Sequence, residues 1–237
     1  MYPSQPDQPL PLLSHLGELR NRLVYAALAV AACSAAMYPL TTAVIADLAR
    51  PVGKLVFISP LEAFWSRLQL CLFLGVILAL PVVLFQVWSF VQKGLMPQER
   101  RMIVPVTAVS LLLFVGGASF CYFLVLPVGV KFLLAYGSDV MVPMISVSKY
   151  LGFVSGMVFS FGLVFELPLV IAFLVKAGLL QAATLRKQRR FAIVIIFIAA
   201  AVLTPGPDAF SQLMMAGPLL VLYEIGVIVA RIIEKRR

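Results

Sequence analysis

Charge is scarce in this chain. Only 12% of its 237 residues are Asp, Glu, Lys or Arg, about half the share ordinary for a soluble domain. With 62% hydrophobic residues and a mean hydropathy of +1.03, a soluble globular domain is excluded and the chain reads as an integral membrane protein. There is one histidine, His15, and the three cysteines, Cys33, Cys71 and Cys121, each stand alone in an apolar run. No pair has metal, haem or redox spacing, so no metal and no cofactor are expected. His15 precedes the first apolar run, which also removes an intramembrane serine protease, whose buried Ser needs a base beside it. A net charge of +9 would suggest nucleic acid in a polar chain. Here the basic residues have a use at a membrane surface instead, and no nucleic-acid partner is expected.

What is abundant is apolar sequence in long runs. A spanning helix needs about 20 mostly apolar residues, and four runs meet this: Leu23 to Val44, Leu68 to Val91, Pro105 to Val130 and Tyr150 to Val175. Phe191 to Leu203 offers only 13 residues before the turn Thr204-Pro205-Gly206-Pro207-Asp208, and Phe210 to Ala230 is interrupted by Gly217-Pro218 and carries Glu224. These two form either a short hairpin that thins or re-enters the bilayer or, the reading favoured here, two short spans joined by the proline-rich turn, which gives six in all. The fold class expected is an all-α polytopic bundle, 23–230, whose last two helices are short. A proline-rich tail with an interfacial helix, 1–22, precedes it and a basic tail, 231–237, follows. With six spans, fourteen Lys and Arg fall on the side of the termini and five on the other, which places both termini in the cytoplasm. The start has no basic segment before its apolar run, so no cleavable signal peptide is expected.

Between the spans, Leu12, Leu16, Leu19 and Leu23 recur at helical spacing, and Leu12 to Arg22 reads as an amphipathic helix on the inner surface. Glu18 and Arg22 on its polar face are four apart, the spacing of a helix ion pair. Ser59-Pro60-Leu61-Glu62 is a capping box that starts the second helix beyond the bilayer. Glu99, in Pro97-Gln98-Glu99-Arg100-Arg101, sits where it favours the dipole of the third helix. Glu166 has no such local account. A carboxylate near the middle of a span costs on the order of 3 kcal/mol and normally faces protein or a wet cavity, and Pro168, two residues on, bends the helix beside it. Gly152, Gly156 and Ser160 form a small-residue stripe for helix approach. Pro81, Pro127 and Pro218 interrupt their own spans, and bent helices around a buried acid suggest a concave wall.

These residues resemble the twin-arginine translocase subunit TatC family. The resemblance rests on Ser14-His15-Leu16-Gly17-Glu18-Leu19-Arg20, Arg50-Pro51, the segment Pro81 to Trp88, Glu99-Arg100-Arg101, Phe165-Glu166-Leu167-Pro168 and Thr204 to Gln212, in that order. It departs from the family at Gly206, which separates the two prolines of the turn. The resemblance implies a non-enzymatic receptor in the bacterial inner membrane that binds twin-arginine signal peptides of folded precursors. Glu18 and Glu99 would each grip one guanidinium, with Arg20 and Arg101 beside them. Glu166 and Pro168 would form a polar site within the membrane. Pro51, Asp208 and Gln212 would cap the outer side, where the single-span proteins TatA and TatB dock. Assembly as a homo-oligomer and drive from the proton-motive force are also implied. The alternative from another class is a proton-coupled secondary transporter relaying protons through Glu166 and Glu224.

Overall fold

A computed structural model describes residues 12–91, 103–135, 143–204 and 209–235, with side chains from residue 17 onward. The described chain is helical apart from its connections. The elements are α1 (Leu12–Met37), a 3₁₀ turn (Tyr38–Leu40), α2 (Thr41–Ala49), α3 (Pro60–Val91), α4 (Ile103–Phe120), a π turn (Cys121–Val125), α5 (Leu126–Ala135), α6 (Val147–Phe165), α7 (Leu167–Lys176), α8 (Ala182–Lys187), α9 (Arg189–Leu203) and α10 (Ala209–Lys235).

Among the described residues, five helical segments are long and apolar enough to cross a membrane: 17–49, 60–91, 103–135, 147–176 and 209–235. The short fifth span of the six-span frame is α9, 15 residues or about 22 Å at 1.5 Å per residue. Its partner differs from expectation. α10 runs unbroken through Pro218 for 27 residues, so of the last two helices only α9 is short. α3 likewise passes through Pro81 without interruption over 32 residues, about 48 Å, which carries it past a hydrocarbon core of about 30 Å. A proline removes one hydrogen bond and crowds one carbonyl, and in these two helices the loss leaves the helix continuous.

Elsewhere proline does reshape the chain. Pro39 lies in the 3₁₀ turn that separates α1 from α2. Pro127 follows the π turn, a widened turn that gives its ring room against the preceding carbonyls. Pro168 ends α6 at Phe165 and restarts the helix as α7, with Glu166 as the hinge residue between them. The N-terminal segment is also different from the expectation of a separate interfacial helix. No glycine or proline lies between Gly17 and Pro39, and α1 continues from Leu12 into the span without a break.

The bundle is assembled by α1 against α3, α4 against α6, α3 against both α4 and α6, and α10 against α7 and α9. Bare glycine surfaces set several of these approaches. A Cβ on Gly75 of α3 would lie 2.0 Å from Ser34 Oγ of α1, one on Gly162 of α6 would lie 2.5 Å from the Phe114 ring of α4, and one on Gly226 of α10 would lie 2.6 Å from Ile171 of α7. Gly117 of α4 sits as close to the Phe161 carbonyl of α6, at 2.5 Å. The stripe expected to mediate helix contact is used more loosely. A Cβ at Gly152 would meet only Gln69 Nε2 at 3.4 Å, while Ser160 donates to the Leu203 carbonyl of α9 at 2.9 Å.

Two adjacent glycines of α4 separate packing from helix propensity. Gly117→Ala should lower stability by about 1–3 kcal/mol, the cost of overfilling a close contact. Gly116→Ala, whose Cβ would meet nothing within 4 Å, should leave it unchanged or raise it. Thermal unfolding midpoints of the two variants in detergent check this, and equal midpoints would contradict the close-packing account.

Candidate functional site

Glu166 occupies the joint between α6 and α7 because Pro168 cannot continue the α6 hydrogen-bond ladder. The joint turns its carboxylate onto α4, where Ser110, itself buried, donates to Oε1 at 2.7 Å. Oε2 is buried without a hydrogen-bond partner among the described residues, and so is Thr107 Oγ1, one helical turn from Ser110. Further along the same two helices Phe165 and Phe161 pack on Phe120 at centroid distances of 5.7 and 6.0 Å. The result is a carboxylate held from one side, with an acceptor and a hydroxyl left over in an apolar setting.

Glu18 lies on α1 as half of an ion pair. Arg22 Nε and Nη2 both approach Oε1, at 2.8 and 2.7 Å, while Nη1 of the same guanidinium donates to Gln86 Oε1 of α3 at 2.9 Å. The two charged side chains are only 20% and 17% exposed, so this is a sheltered pair rather than the solvated one that spacing alone suggests. Beside it a cleft of about 180 Å³ runs between Leu19, Leu23, Ala26, Val83, Val87 and Phe90. Arg20 is exposed, with its Nη2 3.4 Å from Asn21 Oδ1. Glu99 and Arg101 lie outside the described residues, as does Asp208.

At the other end of the bundle, Pro51 helps line a cavity of about 180 Å³ with Asp47, Arg50, Tyr122 and Tyr150. Asp47 accepts a hydrogen bond from the Tyr122 hydroxyl and pairs with Arg50 Nε at 3.2 Å, and the Tyr150 hydroxyl donates to the Leu48 carbonyl at 2.9 Å. Glu62 does more than the capping box requires. It accepts the Ile58 N–H at 2.7 Å, the Ser146 hydroxyl, and the Ser148 N–H at 3.3 Å. Val56 and Ser146 form a parallel β-bridge beside it, with Val56 N–H on the Ile145 carbonyl at 3.0 Å and Val147 N–H on the Val56 carbonyl at 2.9 Å. The chain before α3 and the chain before α6 are thereby tied together.

The remaining candidates are engaged within the bundle. Gln212 gives its Nε2–H to the Phe197 carbonyl of α9 at 3.1 Å. Glu224 is half-exposed and paired with Arg189 at 2.6 Å, so its charge is matched by the start of α9. Sequence reasoning missed Ser110, Gln86, Tyr122 and Ser146, the partners that define these sites. Gln86 falls within the segment that carried the family resemblance; the other three are ordinary hydroxyls in apolar surroundings with no spacing signal.

A family model described as Sec-independent protein translocase protein (TatC) matches residues 14–218. The chain is 42% identical to the Sec-independent protein translocase protein TatC of Carboxydothermus hydrogenoformans over 97% of its own length and 96% of the relative's. It is 36% identical to the TatC of Aquifex aeolicus over 96% and 98%. A crystal structure of a twin arginine translocase receptor, TatC, superposes with a TM-score of 0.82 at 37% identity, covering 93% of this chain and 99% of that one.

Removing the Ser110 hydroxyl leaves the Glu166 carboxylate without its one described donor. Ser110→Ala should therefore destabilise the folded protein by about 1–3 kcal/mol, and the double variant Ser110→Ala, Glu166→Leu should recover most of that loss. Denaturation of both in the same detergent is the check; additive losses would refute the pairing.

Proposed function

The chain belongs to the TatC family of Sec-independent protein translocase proteins, membrane translocase components rather than enzymes, and from that premise we propose that it is the receptor for twin-arginine signal peptides. The observation that carries the proposal is the Glu18 carboxylate, which already holds a guanidinium in a sheltered position at the edge of an apolar cleft. A charge-assisted carboxylate–guanidinium contact is the recognition a twin-arginine motif requires, and a lysine offers only a point charge in place of the planar fork. Arg22 holds that place in the free chain. Because its Nη1 is also bonded to Gln86, Arg22 keeps an acceptor when an incoming arginine takes Glu18. Glu99 supplies the second carboxylate, and Arg20 and Arg101 flank the pair. The apolar cleft beside Glu18 suits the hydrophobic part of a signal peptide.

Deeper in the bundle, Glu166 with the hinge at Pro168 is a polar site within the membrane. Its unpartnered Oε2 and the Thr107 hydroxyl support a role in meeting a polar group on an inserted peptide or partner helix. Pro51, Asp208 and Gln212 belong to the far cap, where TatA and TatB dock against α9 and α10. Because Gln212 has already committed its amide N–H to α9, it contributes there by fixing α9 on α10 and through its carbonyl oxygen. The assembly sits in the bacterial inner membrane with both termini cytoplasmic, contains more than one copy of this chain, and uses the proton-motive force. A proton relay through Glu166 and Glu224 gains no support from Glu224, whose carboxylate is ion-paired to Arg189.

Photo-crosslinking to this chain from a probe placed beside the arginine pair of a twin-arginine precursor measures the binding directly. Glu18→Ala and Glu99→Ala should each weaken crosslinking on the order of tenfold, the loss of one charge-assisted contact, with membrane insertion unaffected. A twin-lysine precursor should crosslink as poorly to the native chain. Undiminished crosslinking in the double variant would overturn the assignment.

A further inference from the structure

A further cavity, of about 280 Å³, lies between α2, α3, α4 and α6, and neither Glu18 nor Glu166 lines it. Leu70, Leu74, Val154 and Val158 form its walls. That is nearly twice the roughly 150 Å³ at which an apolar protein cavity stays dry and accepts a benzene-sized guest, so its natural filling is hydrocarbon rather than water. Leu48, Tyr122 and Phe123 line this cavity and also the smaller one at Pro51. The two adjoin across these side chains, the larger apolar within the bundle and the smaller polar, and together form a slot whose mouth is at Pro51.

The mouth carries a specific chemistry. Arg50 Nε is on Asp47, but the Arg50 side chain is 80% exposed, which leaves its terminal nitrogens open to a further acceptor. Tyr122 donates its hydroxyl to the same Asp47 carboxylate. Asp47 is the one acid lining the mouth, and Arg50 together with exposed Lys54, four residues on in the same loop, outnumbers it. Inside the slot the Ser155 hydroxyl is buried and has no partner among the described residues. It lies five residues beyond Tyr150 on α6, about 7 Å along the helix axis.

From this arrangement we propose that the slot binds one anionic phospholipid from the leaflet at the α2–α3 loop. Its phosphate sits on the Arg50 fork, a glycerol ester carbonyl accepts from Ser155, and one acyl chain fills the cavity between α3, α4 and α6. A guanidinium recognises phosphate through two parallel hydrogen bonds, and a neighbouring lysine favours a lipid with net negative charge. A hydrocarbon chain is the solute that the surrounding bilayer supplies to an apolar groove. This site is separate from signal-peptide recognition at Glu18 and does not depend on that reading.

The test is native mass spectrometry of the full chain released from bilayers of equal parts phosphatidylglycerol and phosphatidylcholine. One phosphatidylglycerol should be retained at least fivefold over phosphatidylcholine. Arg50→Gln should bring the ratio near one, and Val154→Phe should lower retention of both lipids. If Val154→Phe fails to fold, Leu74→Phe fills the same cavity. A phosphatidylglycerol bearing a photoreactive acyl chain should label the peptides containing Leu74 and Val158. Equal retention of the two lipids, an unchanged ratio in Arg50→Gln, or label spread evenly over the lipid-facing helices would overturn the proposal. So would a photoreactive residue at position 154 that, in native membranes, crosslinks to a protein in place of lipid.

Discussion

Hydrocarbon offers no hydrogen bonds, so each polar group placed in a membrane span must be matched from within the protein. Much of the architecture is an answer to that constraint. Cys71 donates to the Ser34 carbonyl, Ser160 to Leu203, Gln212 to Phe197, Thr204 to Ala200 and Tyr223 to Leu185. Three of these converge on the second half of α9, the shortest of the span helices. A helix of 15 residues ends inside or near the hydrocarbon region, where its terminal carbonyls would otherwise be orphaned. Ser160 of α6 takes the terminal Leu203 carbonyl, Thr204 adds its hydroxyl to the Ala200 carbonyl that its own N–H already meets, and Gln212 of α10 bonds the Phe197 carbonyl further in, so α9 is tied to both neighbours.

The same constraint explains why the helices approach through glycine. Lipid is as apolar as leucine, so burying leucine against leucine gains little over leaving it in the bilayer, and close van der Waals contact carries more of the association. Gly75, Gly117, Gly162 and Gly226 bring backbone or side-chain atoms of the neighbouring helix within distances no Cβ permits. Each lies on a different helix pair or on opposite faces of one pair, which distributes the fixing of helix positions along the bundle. Large residues such as Leu112, Val104 and Val202 remain outward and exposed, as a lipid-facing surface requires.

Much of this was legible in the sequence because the bilayer imposes a length on apolar runs. Four full spans, the brevity of α9 and the hinge at Glu166-Leu167-Pro168 followed from run length and proline chemistry alone. Continuity through Pro81 and Pro218 did not, because a proline kills one bond in any helix, and whether the helix bends depends on what neighbouring elements press against it. The sites were half legible. Glu166 and Glu18 are conspicuous as acids where acids are rare, yet Ser110 and Gln86 are found only once the rotation of α4 and α3 is known. A helix apolar on all sides, as α4 nearly is, carries no periodic signal of which face turns inward. Ser146, which is 84 residues from Glu62, shows the same limit for a loop, where no local pattern encodes a partner so distant in the chain.

One consequence concerns Glu62 and the bridge between Val56 and Ser146. A single carboxylate gathers three donors from two separate connections, beside a pair of backbone bonds, so α3 and α6 begin from a common anchor. Two levers pinned together at one end share a pivot. Movement that widens the space between them grows with distance from the pin, and it is greatest at the opposite end of α3, where Gln86 stands beside Arg22 and Glu18.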